Sequence, residues 1–293
     1  MACQNECCAE VEILNNIIEG ANEVKQMFLD GCATESFEKK AINAFLEEWI
    51  SSVYSIKILY EDGINNLHMA YVLLRTSLEI FSQLKFLLSD KCELQKQSIY
   101  AFAITNYNIN KLNENVRILK GIDSNCKEFR EIQDKSDIFK FHQSEVWNKL
   151  NDTEKDIFST CRDKIKEKGQ HYYYWYNIDN SKKFKLSRII DTYGPSKFKN
   201  DNKLLYDYLS KYAHGLNTLA NIDYGNKNDA TFGIHVIFEM YKNVVDIIGG
   251  VYFDNVNEVT EEDIIYFTQQ SKIQLIEERY KQLQKDGGEI CEQ

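Results

Sequence analysis

Two short polar signatures interrupt apolar helical stretches of this chain. Arg75 and Glu79 sit in MAYVLLRTSLEIFSQLKFLL, and Tyr206, Ser210 and His214 sit in LLYDYLSKYAHGL. Each set has a spacing of four, which places it on one face of a helix. Arg, Glu and His are costly to bury unless they are paired and hydrogen-bonded. The two faces are therefore expected to meet and form one polar cluster. A guanidinium has five donors, more than one carboxylate can satisfy. Tyr206 and Ser210 are the expected further partners, as ligand-binding residues. His214 precedes Gly215, where backbone or a ligand can approach closely. A His beside a carboxylate titrates near neutral pH and can act as acid or base. In that chemistry Arg75 stabilises negative charge developing on a phosphate, and Glu79 orients one of the pair. The competing reading of the same residues is a buried network that fixes helix register.

Helices must carry these faces, and the composition supplies them. The chain has 293 residues, one proline (Pro195) and thirteen glycines, too few turn residues for a sandwich or barrel. The expected fold is all-α, a multi-helix bundle with the polar cluster between two core helices. Periodic apolar residues predict helices over 9–30, 36–61, 64–89, 91–120, 124–146, 152–168, 185–193, 201–219, 230–252 and 260–285. The core is expected around 36–61, 64–89, 91–120 and 201–219, with 230–252 as a further core helix. Helix 64–89 is apolar nearly all round, broken by Arg75, Glu79 and Lys85, which predicts a central position. Asp62-Gly63 should end helix 36–61, and Asn151 or Asp152 with Glu154 should cap the start of helix 152–168. One helical domain, 1–293, is expected, with an insertion-like middle at 121–200.

That middle is aromatic at 171–176 (HYYYWY) and basic at 182–199. Lys182, Lys183, Lys185 and Arg188 are candidates for weak nucleic-acid contact, through phosphate binding beside stacking rings. The whole chain has a net charge of −10, which excludes a chain-wide nucleic-acid surface. The eight cysteines form no CxxC and no zinc-finger spacing. Reduced thiols are expected. No metal ligands and no cofactor are expected, because no HExxH, P-loop, Rossmann or GxSxG motif occurs. The start, MACQNECCAEVEIL, lacks the pattern of a signal peptide, and the longest apolar run is too polar to span a bilayer. A cytoplasmic protein without membrane contact is expected.

Four pieces occur in order along the chain: LLRTSLE (73–79), YYYWYN (172–177), SRIIDTYG (187–194) and YDYLSKYAHG (206–215). This pattern resembles an uncharacterised, mostly bacterial all-helical family, over residues 65–220. The helical build and polar His are similar to the HEPN superfamily of RNases and nucleotide-binding domains. Those enzymes carry R-x4–6-H on one helix. Here SKYA precedes His214, so Arg75 would have to bring the positive charge from another helix. The resemblance implies an RNA- or nucleotide-processing effector, of the kind found in anti-phage defence or toxin systems. RNA or a nucleotide, a second copy of the chain in a homodimer and a protein encoded nearby are the partners it suggests. The alternative is a non-enzymatic helical binding or regulatory module, in which the cluster is structural or holds a small ligand.

Overall fold

The computed structural model describes residues 8–30, 37–63, 66–89, 109, 112–121, 127–156, 159, 186–213, 227–253 and 261–288. Every element among them is helical, and the fold is all-α. The helices with full bounds are α1 (Cys8–Asp30), α2 (Phe37–Glu61), α3 (Leu67–Leu87), α4 (Lys127–Lys149), α5 (Leu186–Tyr193), α6 (Asn202–Ala213), α7 (Lys227–Phe253) and α8 (Glu261–Gly288). A 3₁₀ turn, Ser196–Phe198, joins α5 to α6.

The chain groups into two compact units. One comprises Met1–Glu35, Ile42–Leu88 and Leu186–Gln293, and the other Ser36–Ala41 and Ser89–Lys185. Both halves of the polar signature lie in the first. Residues 186–200, read from sequence as part of the middle segment, group with the first unit as well.

Within the first unit α3 packs against α5, α6 and α7, while α7 also meets α1 and α8. The sequence explains both central positions. On α3, Leu67, Ala70, Tyr71, Leu74, Leu78, Ile80, Phe81, Leu84, Phe86 and Leu87 are buried and encircle the helix. On α7, Ile234, Val236, Ile237, Phe238, Met240 and Tyr241 are all buried. Each buried Leu, Ile, Val, Phe or Met among them contributes roughly 1.5–3 kcal/mol. α2 adds Leu46, Trp49, Val53, Ile56 and Tyr60. The Tyr60 hydroxyl donates to the Ala230 carbonyl at 2.9 Å, fixing α2 against the first turn of α7. That approach needs Gly233, since a Cβ there would stand 2.5 Å from the Tyr60 oxygen.

Helix ends follow local chemistry. α2 stops at Asp62-Gly63, where Gly63 takes φ +103°, a conformation that costs glycine little. In the second unit, Asn151 and Glu154 cap reciprocally. The Glu154 amide donates to Asn151 Oδ1 at 2.9 Å, and the Asn151 amide donates to Glu154 Oε2 at 2.8 Å.

One expectation is corrected. Cys8, at the start of α1, is disulfide-bonded rather than a reduced thiol. Pairing depends on Cα separation in space, which spacing along the chain does not reveal. The other seven cysteines lie outside the described residues, as do 91–108 and 160–185, over which parts of helices 91–120 and 152–168 were expected.

A candidate polar site between α3 and α6

α3 and α6 run antiparallel. Tyr71, near the start of α3, meets Tyr212 near the end of α6 edge-on, with ring centroids 4.8 Å apart. One and two turns along α3, Arg75 and Glu79 meet Tyr206. Tyr71, Arg75 and Glu79 thus form one stripe at a spacing of four, facing the tyrosines of α6.

The geometry is a closed triangle. Arg75 Nη2 donates to the Tyr206 hydroxyl at 2.8 Å, and that hydroxyl donates to Glu79 Oε1 at 2.9 Å. Arg75 Nη2 lies 3.0 Å from the same Glu79 oxygen. The guanidinium also sits 5.0 Å from the centroid of the Tyr206 ring. The side chains of Arg75 and Glu79 are 25% and 21% exposed, so the cluster is half-buried and reaches solvent. Burial works against the Arg75 charge, but the Tyr206 hydroxyl and Glu79 outweigh it and hold the guanidinium pKa above its ordinary value. Burial pushes the Tyr206 phenol up; its bond from Arg75 opposes this and Glu79 adds to it. At neutral pH the triangle therefore holds a cation, a phenol and the Glu79 side chain.

Not every expected member joins. The Ser210 hydroxyl turns back to the Tyr206 carbonyl of its own helix at 2.7 Å, a local bond common for serine within helices. His214 lies outside the described residues, as do Lys182, Lys183 and Lys185. Arg188 is exposed on α5. Arg75 Nε is buried without a partner, and the described bonds of this guanidinium all run through Nη2.

Two further polar groups lie in the same unit and were not singled out as site residues. Lys85 donates from Nζ to the Gly194 carbonyl (3.2 Å), Ser196 Oγ (2.9 Å) and Asn243 Oδ1 (2.7 Å). Burial lowers its pKa to about 8, with Asp246 opposing and Lys199 adding to the shift. Along α7, His235, Glu239 and Asn243 repeat at a spacing of four. Glu239 is buried and pairs with Lys242 at 2.8 Å and with Lys197 at 3.5 Å. His235 stacks on Tyr280 with centroids 4.9 Å apart, and burial, then Lys197, lowers its pKa. The signal for this seam was present in the sequence, as polar residues at fourfold spacing inside apolar helix 230–252.

Among the described residues no group of three His, Cys, Asp or Glu side chains is arranged to hold a metal ion. No described helix is long and apolar enough to cross a membrane. The chain matches no family model, no curated protein and no solved structure.

Proposed function

We propose that the Arg75–Glu79–Tyr206 cluster binds phosphate in a HEPN-like RNA- or nucleotide-processing effector, of the anti-phage defence or toxin kind. One observation carries this reading. The guanidinium is charged and half-buried, and among the described residues its bonds all run through Nη2, so Nη1 is the edge proposed to meet a phosphate oxygen. A cation held rigid in advance stabilises developing negative charge without reorganising during the reaction. Glu79 and Tyr206 fix that orientation. His214, which enters on its sequence spacing from Ser210, would be the acid or base. Arg188, exposed on α5, and the sequence-adjacent Lys182, Lys183 and Lys185 are proposed as weak phosphate contacts in their own right. A cytoplasmic setting, a homodimer and a partner encoded nearby belong to the same proposal.

The test compares the wild type with Arg75→Ala and His214→Ala for RNA cleavage and thermal stability. Loss of cleavage with unchanged melting supports catalysis. No detectable cleavage by the wild type, with both variants equally destabilised, sinks it. Binding to single-stranded RNA should also weaken with salt, with a slope of roughly −0.7 in log K per phosphate contact.

A second reading rests on the closed triangle itself. Arg75, Glu79 and Tyr206 bond one another across the two helices, as a clamp between α3 and α6 requires. On this reading the chain is a helical binding or regulatory module. Tyr206→Phe would then lower stability and leave RNA binding unchanged.

A further inference from the structure

Lys85 is the one charge of helix α3 that the site does not use. It lies six residues past Glu79 and points to the corner between α5 and α6. Its ammonium has three N–H groups, and three neutral oxygens receive them. The Gly194 carbonyl comes from the end of α5, Ser196 Oγ from the 3₁₀ turn and Asn243 Oδ1 from α7. Asn243 Oδ1 also accepts from the Ser196 amide (3.2 Å) and the Ser196 hydroxyl (2.7 Å). Four segments of chain therefore converge on one ammonium and one carboxamide.

From this corner the backbone leads directly to the site. Phe198 N bonds Pro195 O, Asp201 N bonds Phe198 O, and Leu205 N bonds Asp201 O, at 3.0, 2.7 and 2.8 Å. The buried Asn202 packs into the space left by Gly194 and donates to the Pro195 carbonyl. Tyr206 follows one turn later, against Arg75 and Glu79. The position of Tyr206 along α3 is thus set from a corner that Lys85 ties to α3 itself.

We propose that Lys85 is a positioning residue: it locks the α5–α6 corner onto α3 and α7, and so sets the register that brings Tyr206 to Arg75 and Glu79. This concerns the geometry of the cluster, so it stands or falls separately from the RNA reading.

The test uses the full chain labelled with ¹³C at tyrosine Cζ, with Tyr206→Phe and Tyr241→Phe identifying two resonances. Tyr241, bonded to Gln269 at 2.6 Å, reports on the contact between α7 and α8. In Lys85→Met the Tyr206 resonance should move, and its ionisation should fall toward that of free tyrosine, while Tyr241 stays in place. Lys85→Arg, which keeps charge and donors, should restore part of the Tyr206 signal. A folded Lys85→Met protein with Tyr206 unmoved overturns the proposal, and so does an equal shift of both tyrosines. If Lys85→Met does not fold, Ser196→Ala removes one acceptor at an exposed residue. It should move Tyr206 the same way by less, and no movement overturns the proposal.

Discussion

Arg75 and Tyr206 stand 131 positions apart in the chain, and Arg75 Nη2 lies 2.8 Å from the phenol oxygen of Tyr206. That hydroxyl mediates between the guanidinium and Glu79, accepting from one and donating to the other. It turns a helix-surface ion pair, ordinarily a few tenths of a kcal/mol, into a contact between helices. Measurements on these three residues therefore probe α3–α6 docking and the proposed phosphate site together.

Tyr206→Phe keeps the ring under the guanidinium and removes the hydroxyl. Two hydrogen bonds are lost in a half-buried setting. The expected cost is about 1–2 kcal/mol. Thermal melting should fall by roughly 2–4 °C per kcal/mol for a unit of this size. An unchanged melting temperature would show that the triangle contributes nothing to docking.

Arg75 and Glu79 should be energetically coupled. A double-mutant cycle with Arg75→Met and Glu79→Gln is expected to give about 0.5–1 kcal/mol, above the value for an exposed pair because solvent screening is partial. The coupling should persist in Tyr206→Phe at a reduced size. Zero coupling at low salt would mean that the two side chains do not share a fixed geometry in solution.

Gly194→Ala should be strongly destabilising. A Cβ there would stand 2.6 Å from Asn202 Oδ1 and 2.7 Å from Nδ2, and Asn202 is fully buried. Overpacking of this kind costs about 1–3 kcal/mol. Chemical denaturation measures it directly. Gly121→Ala, which meets nothing within 4 Å, serves as the benign control.

Lys85 gives stability a defined pH dependence. Burial lowers its pKa to about 8 in the folded chain, against an ordinary lysine value of 10.5. Between these values the unfolded state holds the proton and the folded state has released it, so stability rises with pH over 8 to 10.5. Because the side chain is partly exposed, the rise is on the order of 1 kcal/mol. Tyr206 and Tyr241 are both pushed up by burial, so their contributions are present at lower pH and decline above pH 10. The window to measure is therefore pH 8 to 10, by urea unfolding. Lys85→Met should flatten the rise. A slope in that variant equal to the wild type would remove Lys85 as its source.

Local rules account for much of what was legible in advance. The period of 3.6 in the apolar residues located α1, α2, α3, α5, α7 and α8 to within a few residues, because each must turn one face or more toward a core. Gly63 and the Asn151–Glu154 pair could be read from neighbours alone, since turn and cap chemistry is local. Arg75, Glu79 and Tyr206 were legible for a different reason: a polar residue at a buried face needs a partner, and only a few candidates exist. The role of Ser210 was not legible. Its hydroxyl had a choice between α3 and its own backbone, and only the packing distance between the helices settles that choice.

The sequence by itself determined an all-helical chain with α3 and α7 in the core, because hydrophobic period and burial are properties of each segment alone. The tertiary structure decided which polar groups meet. It placed Tyr206 between Arg75 and Glu79, set Lys85 among three oxygens from three segments, and gave Cys8 a disulfide. Hydrogen bonds of about 3 Å depend on the relative position of helices far apart in the chain, and no periodicity within one helix encodes that position.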